Sequence, residues 1–254
     1  MKVLNKISVI NNNKRHDLFF GIAQTEEERE KMFRLRHQIY VEKKKYILPE
    51  LTTNGLELDE FDNPKNCTYF LAMNNNQVVG TIRVIKKNPL PLVENYVDFK
   101  DGYGISDEKK IEIGRFISIG SAENDFLPRH LIPFGLFYSI SRFVSDNDIE
   151  MGYGAMKRYN LNKLRKIKFP LNKVTQYQTS LKKENKDPIK DYYFGQDPAI
   201  PLCFFKDEVN QYLDKIFNHS LAFKKTSEDE YIFRGNSLML LSMVANRIFS
   251  LTRS

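Results

Sequence analysis

The sequence predicts an α/β domain with a mixed central sheet flanked by helices, and three observations carry that expectation. Short apolar runs at 17–23, 67–73 and 78–85 read as strands, and at 111–119 apolar residues alternate with period two. Longer stretches with helical spacing fall between and after them, at 25–43, 128–145 and 157–168. Residues 67–73 and 78–85 are joined by Asn74-Asn75-Asn76-Gln77, and asparagine tolerates the positive φ that a tight hairpin demands. Hairpin-linked and helix-linked strands in one chain imply a sheet that is partly antiparallel and partly parallel.

Taken in order, residues 1–16 are polar and Asn-rich and read as a loose leader. A strand follows at 17–23. Thr25-Glu26-Glu27-Glu28 is a capping box, and Met32, Phe33, Leu35, Ile39 and Tyr40 give the helix it opens an apolar stripe to about Lys43. Residues 47–66 hold Pro49, Gly55 and Pro64 and read as a long structured connection before the hairpin. After the strand at 111–119 come the helix at 128–145, a strand at 148–155, a basic helix at 157–168 and strands at 171–178 and 200–205. The main domain is therefore placed at 17–205. Residues 206–254 read as an extension packed on it, with a hairpin (221–225 and 231–234) and an apolar helix at 237–249 that is too short to span a bilayer.

With 254 residues the chain is long enough for one well-buried core, and 41% hydrophobic content excludes wholesale disorder. The net charge of +7 favours an acidic partner, although no recognisable nucleic-acid motif accompanies it. The two cysteines, Cys67 and Cys203, lie far apart, which argues against a zinc site or a disulfide framework and for a reducing compartment. No apolar run reaches the roughly 18 residues of a membrane span. A cytoplasmic protein with no metal and no resident cofactor is expected.

The chain is organised around 111–119, IEIGRFISI. Ile111, Ile113, Ile117 and Ile119 share one face, and Arg115 falls on that same parity while Glu112 lies opposite. Charges on a central strand are costly unless paired or used, so the alternatives are an ion pair between Glu112 and Arg115, or function. A bulge, which Gly114 permits, would bring the two together. Three further clusters precede them: Arg36, Tyr40 and Tyr46 on the first helix and its exit; Asp59-Glu60-Phe61-Asp62 after Leu56-Glu57-Leu58; and Arg83 on the second hairpin strand. Singly, each also fits a surface role.

Together, in this order, the clusters resemble the acyl-homoserine-lactone synthases, whose pattern runs Arg-x3-Phe-x5-Trp, Asp-x-x-Asp, a strand Arg, then Glu-x-Ser-Arg-Phe. They are similar too to the long-chain N-acyl amino acid synthases. The resemblance covers about residues 18–205. It implies a GNAT-like fold and an N-acyltransferase that moves a fatty acyl chain from acyl-carrier protein or acyl-CoA to the amine of an amino acid or related small molecule. It departs in Tyr40, Tyr46 and Gly114, where the synthase pattern has Phe, Trp and Ser, which puts the homoserine lactone product in doubt. Glu112 is the expected base, with Arg115, Phe116 and Ser118 beside it and oxyanion donors supplied by backbone N–H groups at 116–118. Asp59 and Asp62 would order the acceptor loop and bind its ammonium. Arg36, Arg83 and Arg115 would pair with these acids or bind an acceptor carboxylate, with Tyr40 and Tyr46 lining the acceptor site.

Ordinary acetyltransferases hold the coenzyme A pyrophosphate on a glycine-bearing turn after the central strand. Here residues 120–128 offer Glu123 and Asp125 and no glycine pair, which favours an acyl-carrier protein with its acidic surface. Lys157, Arg158, Lys163, Arg165, Lys166 and Lys168 form the expected docking face. The competing function class is a non-catalytic acyl-carrier or acyl-ligand binding protein of the same fold.

Overall fold

The computed structural model describes residues 1–11, 13–99, 103–119, 131–174, 177–179 and 190–234. Its strands are β1 (Lys2–Asn11), β2 (Lys14–Ile22), β3 (Cys67–Asn74), β4 (Gln77–Ile85), β5 (Val97–Phe99), β6 (Lys110–Ser118), β7 (Met151–Met156), β8 (Asn172–Lys173), β9 (Tyr177–Thr179), β10 (Ile200–Phe205), β11 (Phe223–Ser227) and β12 (Glu230–Phe233). The α-helices are α1 (Glu26–His37), α2 (Pro91–Asn95), α3 (Leu131–Asp146), α4 (Arg158–Lys166), α5 (Lys190–Phe194) and α6 (Lys206–Phe217). One sheet orders ten strands as β11-β12-β1-β2-β3-β4-β6-β7-β10-β8, and β5 pairs with β9 apart from it. The sheet is mixed, with β6–β7 and β1–β12 parallel and the remaining pairs antiparallel.

Alternation along the strands divides the core in two. Phe70, Ala72, Ile82 and Val84 face α3, whose Leu131, Phe134, Leu136 and Ile140 are buried against them. Tyr69, Leu71 and Ile85 face the other way and pack with Met32 and Phe33 of α1. Thr25 caps α1 as its sequence requires, with the hydroxyl accepting from Glu28 N–H and the Glu28 carboxylate returning to the Thr25 N–H.

Several boundaries differ from the sequence reading. Residues 1–11 are not a loose leader. Leu4, Ile7 and Val9 are buried, and the lysines and asparagines between them conceal the alternation. Pairing with β2 on one side and β12 on the other makes β1 an interior strand of the sheet. The expected strand at 171–178 divides into β8 and β9, which join different sheets. Helix α6 was not anticipated. It packs on α3 through Val209, Leu213 and Phe217, while the expected hairpin, β11–β12, extends the sheet. Residues 206–233 are thus continuous with the main domain, and the apolar stretch at 237–249 lies outside the described residues, as does the turn at 120–128. Among the described residues no helix is long and apolar enough to cross a membrane.

Candidate active site

A bulge in β6 sets the geometry of the site. Thr81 pairs with Ile117 and Arg83 with Gly114, so Ile82 alone stands opposite Arg115 and Phe116. Two residues facing one is a β-bulge, and its extra residue is Arg115, at φ 52°. Gly114, expected to supply the irregular backbone, has an ordinary φ. The bulge reverses the alternation. Phe116 turns to the α3 side and meets the Phe137 ring at 5.5 Å, while Arg115 turns to the opposite side. The Tyr40 hydroxyl donates to the Phe116 carbonyl at 3.0 Å. Tyr40 reaches that point from a π-helical turn, Gln38–Lys43, that continues α1.

Beneath the bulge three arginines and three carboxylates neutralise one another. Arg36, wholly buried, donates Nε to Glu57 and both Nη atoms to Asp62 at 2.8 and 2.7 Å. Arg115 donates Nε to Glu57 at 3.1 Å and Nη2 to Asp59 at 2.7 Å. Arg83 Nη1 reaches Asp59 at 2.6 Å and Asp62 at 3.0 Å. The acids ride on the 47–66 connection, which the Glu57 N–H ties to the Phe33 carbonyl of α1 at 3.2 Å. Burial pushes the Asp59 and Asp62 carboxyls up. The arginines outweigh it (Arg115 then Arg83 at Asp59, Arg36 then Arg83 at Asp62), and both lie below the usual carboxylate range.

Glu112 stands outside this network. Arg115 bonds Glu57 and Asp59, so of the two alternatives the Glu112–Arg115 ion pair is not formed. Glu112 is 9% exposed and accepts the Leu92 N–H on Oε2 at 2.7 Å. Burial raises its carboxyl above the ordinary range, against the lowering effect of the Leu92 N–H bond and Arg83. Tyr193 stacks on Tyr96 with centroids 4.1 Å apart, and its hydroxyl is raised by burial and then by the charge of Glu112. Tyr192 stands edge-on to Tyr46, which stacks on Tyr40, forming an aromatic wall facing Glu112 and Arg115.

The parallel pairing of β6 with β7 covers Lys110↔Met151, Ile111↔Gly152 and Glu112↔Tyr153 and then stops, although both strands continue. A cavity of about 160 Å³ occupies this divergence. Its lining joins the two faces of the sheet: Glu112, Arg115, Tyr46 and Tyr193 on one side, and Phe137 and Ile140 of α3 on the other.

The predicted residues therefore separate by position. Glu112, Arg115, Phe116, Arg83, Tyr40 and Tyr46 line the cavity. Arg36, Asp59 and Asp62 are not among its lining residues, and their charges are matched within the ion network. Ser118 pairs with Gly80 and does not reach the cavity. Sequence reasoning missed Glu57, Tyr192 and Tyr193. Glu57 carried a signal, an acid flanked by Leu56 and Leu58, and it is 1% exposed. Among the described residues no cluster of His, Cys, Asp and Glu is arranged to hold a metal ion.

Residues 31–151 match the family model of the N-acyl amino acid synthase FeeM. No curated protein matches the chain in sequence. The fold is shared with the CoA-dependent acyl-homoserine lactone synthase MesI, at 16% identity and TM-score 0.55, over 83% of this chain and 98% of that one. A second such synthase, BjaI, solved with SAM and isopentyl-CoA, gives 17% and 0.55 over 90% and 99%. The AHL synthase LasI gives 15% and 0.55 over 77% and 93%. The family match spans the ion network and β6, and the fold that carries them is the one these synthases have.

Proposed function

We propose that the protein moves a fatty acyl chain from an acyl thioester to the amine of an amino acid or related small molecule, with acyl-carrier protein as the preferred donor. The observation that carries this reading is the cavity at the β6–β7 divergence, apolar along most of its lining, with the raised carboxyl of Glu112 facing it. A greasy passage suits an alkyl chain, and a carboxylate without a cation partner suits proton removal.

In this reaction the amine nitrogen attacks the thioester carbonyl carbon, the C–S bond breaks, and the thiolate leaves. The nitrogen sheds its extra proton to the Glu112 carboxylate, directly or through a water. Oε2 is held by the Leu92 N–H, which fixes the carboxylate and leaves Oε1 to act. Backbone N–H groups of β6 beyond Glu112, which have no ladder partner in β7, are the candidate donors to the oxyanion. The tyrosine wall forms the acceptor side, and the FeeM match supports an amino acid as acceptor. Exposed Arg158, Lys163, Arg165, Lys166 and Lys168, on α4 and just past its end, supply the positive face for an acidic carrier. Lys157 is instead engaged with the carbonyls of Tyr192 and Asp197.

Mass spectrometry of lipid extracts from cells overproducing the protein tests the reading. N-acylated amines should accumulate with wild type and not with Glu112→Gln; equal levels from both, or none from either, would refute it.

A further inference from the structure

The cavity is lined along β7 from Met156 back to Met151, and then by Glu150 and Ile149, which precede the strand. Its far end changes character, because Glu150 and Lys206 replace the apolar lining there. Between the two ends Phe204 of β10 stands in register with Gly152 of β7. A Cβ at 152 would lie 2.1–2.9 Å from carbons of the Phe204 ring, so the ring fills the place of the missing side chain. Both residues line the cavity, and Phe204 is only partly buried.

We infer that Phe204, seated on Gly152, limits how far an acyl chain enters and so selects its length. This rests on the acyl-transfer reading above and adds to it a specificity residue beyond the 31–151 match. The physical argument is one of packing. The ring is held on one side by a glycine and on the other by open cavity. An added carbon at 152 must displace it, and the cavity is the space available to it. Removing the ring lengthens the passage toward Val209 of α6, which also lines it.

The test is competition binding of saturated fatty acids of graded length against a fluorescent fatty-acid probe, using the full chain. Product lengths are read in parallel by mass spectrometry. Phe204→Ala should move the length of tightest binding upward by about two to four methylene groups, the room a Phe-to-Ala truncation opens. Gly152→Ala should move it downward. Phe204→Leu, a milder change, should move it upward by less and guards against loss of folding in the alanine variant. If folded variants that still bind and still make N-acyl product keep the wild-type optimum, the length-selecting role is overturned and the acyl-transfer reading stands. If wild type binds no fatty acid of any length, both fall together.

Discussion

Glu112 and Arg115 sit three residues apart yet do different work, and a single positive φ separates them. The bulge directs Arg115 into a set of matched charges, and Glu112 is left without a salt bridge in a buried position. A base with a raised pKa loses its active form as pH falls through that pKa. The acid limb of kcat/KM should therefore lie above the ordinary carboxylate range, and activity should climb as pH rises through it. Glu112→Gln should lower kcat by about 10²- to 10⁴-fold, the usual worth of a positioned base. A pH profile that keeps the same limb in this variant would remove Glu112 from the role. Gly114 offers a separate test, since a Cβ added there meets nothing within 4 Å. Gly114→Ser should leave urea stability within about 0.5 kcal/mol of wild type. Because Gly114 lines the cavity, the same change should alter the KM of the acceptor amine.

Strand β6 could be read from its alternation, the connection at 47–66 as structured, and the pairing of Asp59 and Asp62 with the arginines from the resemblance, but the place of Glu57 between Arg36 and Arg115 could not. Arg36, Glu57, Asp62, Asp59, Arg83 and Arg115 come from a helix, a loop and two strands. Breaking a buried pair by removing one partner leaves the other charge stranded. Arg36→Met, which leaves Glu57 to Arg115 and Asp62 to Arg83, should cost about 3–5 kcal/mol in urea unfolding. The pH sense follows from the lowered Asp59 and Asp62. Their contribution is whole above the unfolded carboxylate value of about 3.9 and is lost as pH falls through the lower folded values. Wild-type stability should therefore drop steeply in acid, and Arg36→Met should flatten that drop.

At the scale of the molecule, α4 lines the cavity with Asn160 and Leu164 and carries its exposed cations on its outer side. Reversing Lys163, Arg165 and Lys166 to glutamate should raise the KM for an acyl-carrier-protein donor about tenfold or more at low salt and weaken its salt dependence. Use of the same acyl chain on coenzyme A should change little; an equal loss with both donors would deny α4 the docking role. Local pattern alone determined the strands that alternate cleanly, the capped first helix, the Asn hairpin and the ordered set of acids and arginines, because each is written in neighbouring residues. The interior place of β1, the division of β8 from β9, the reversed side of Arg115 and the insertion of Glu57 between Arg36 and Arg115 were decided by the tertiary structure. Those outcomes depend on partners far along the chain. A one-residue bulge inverts every facing after it, and no count along the sequence reveals where it falls.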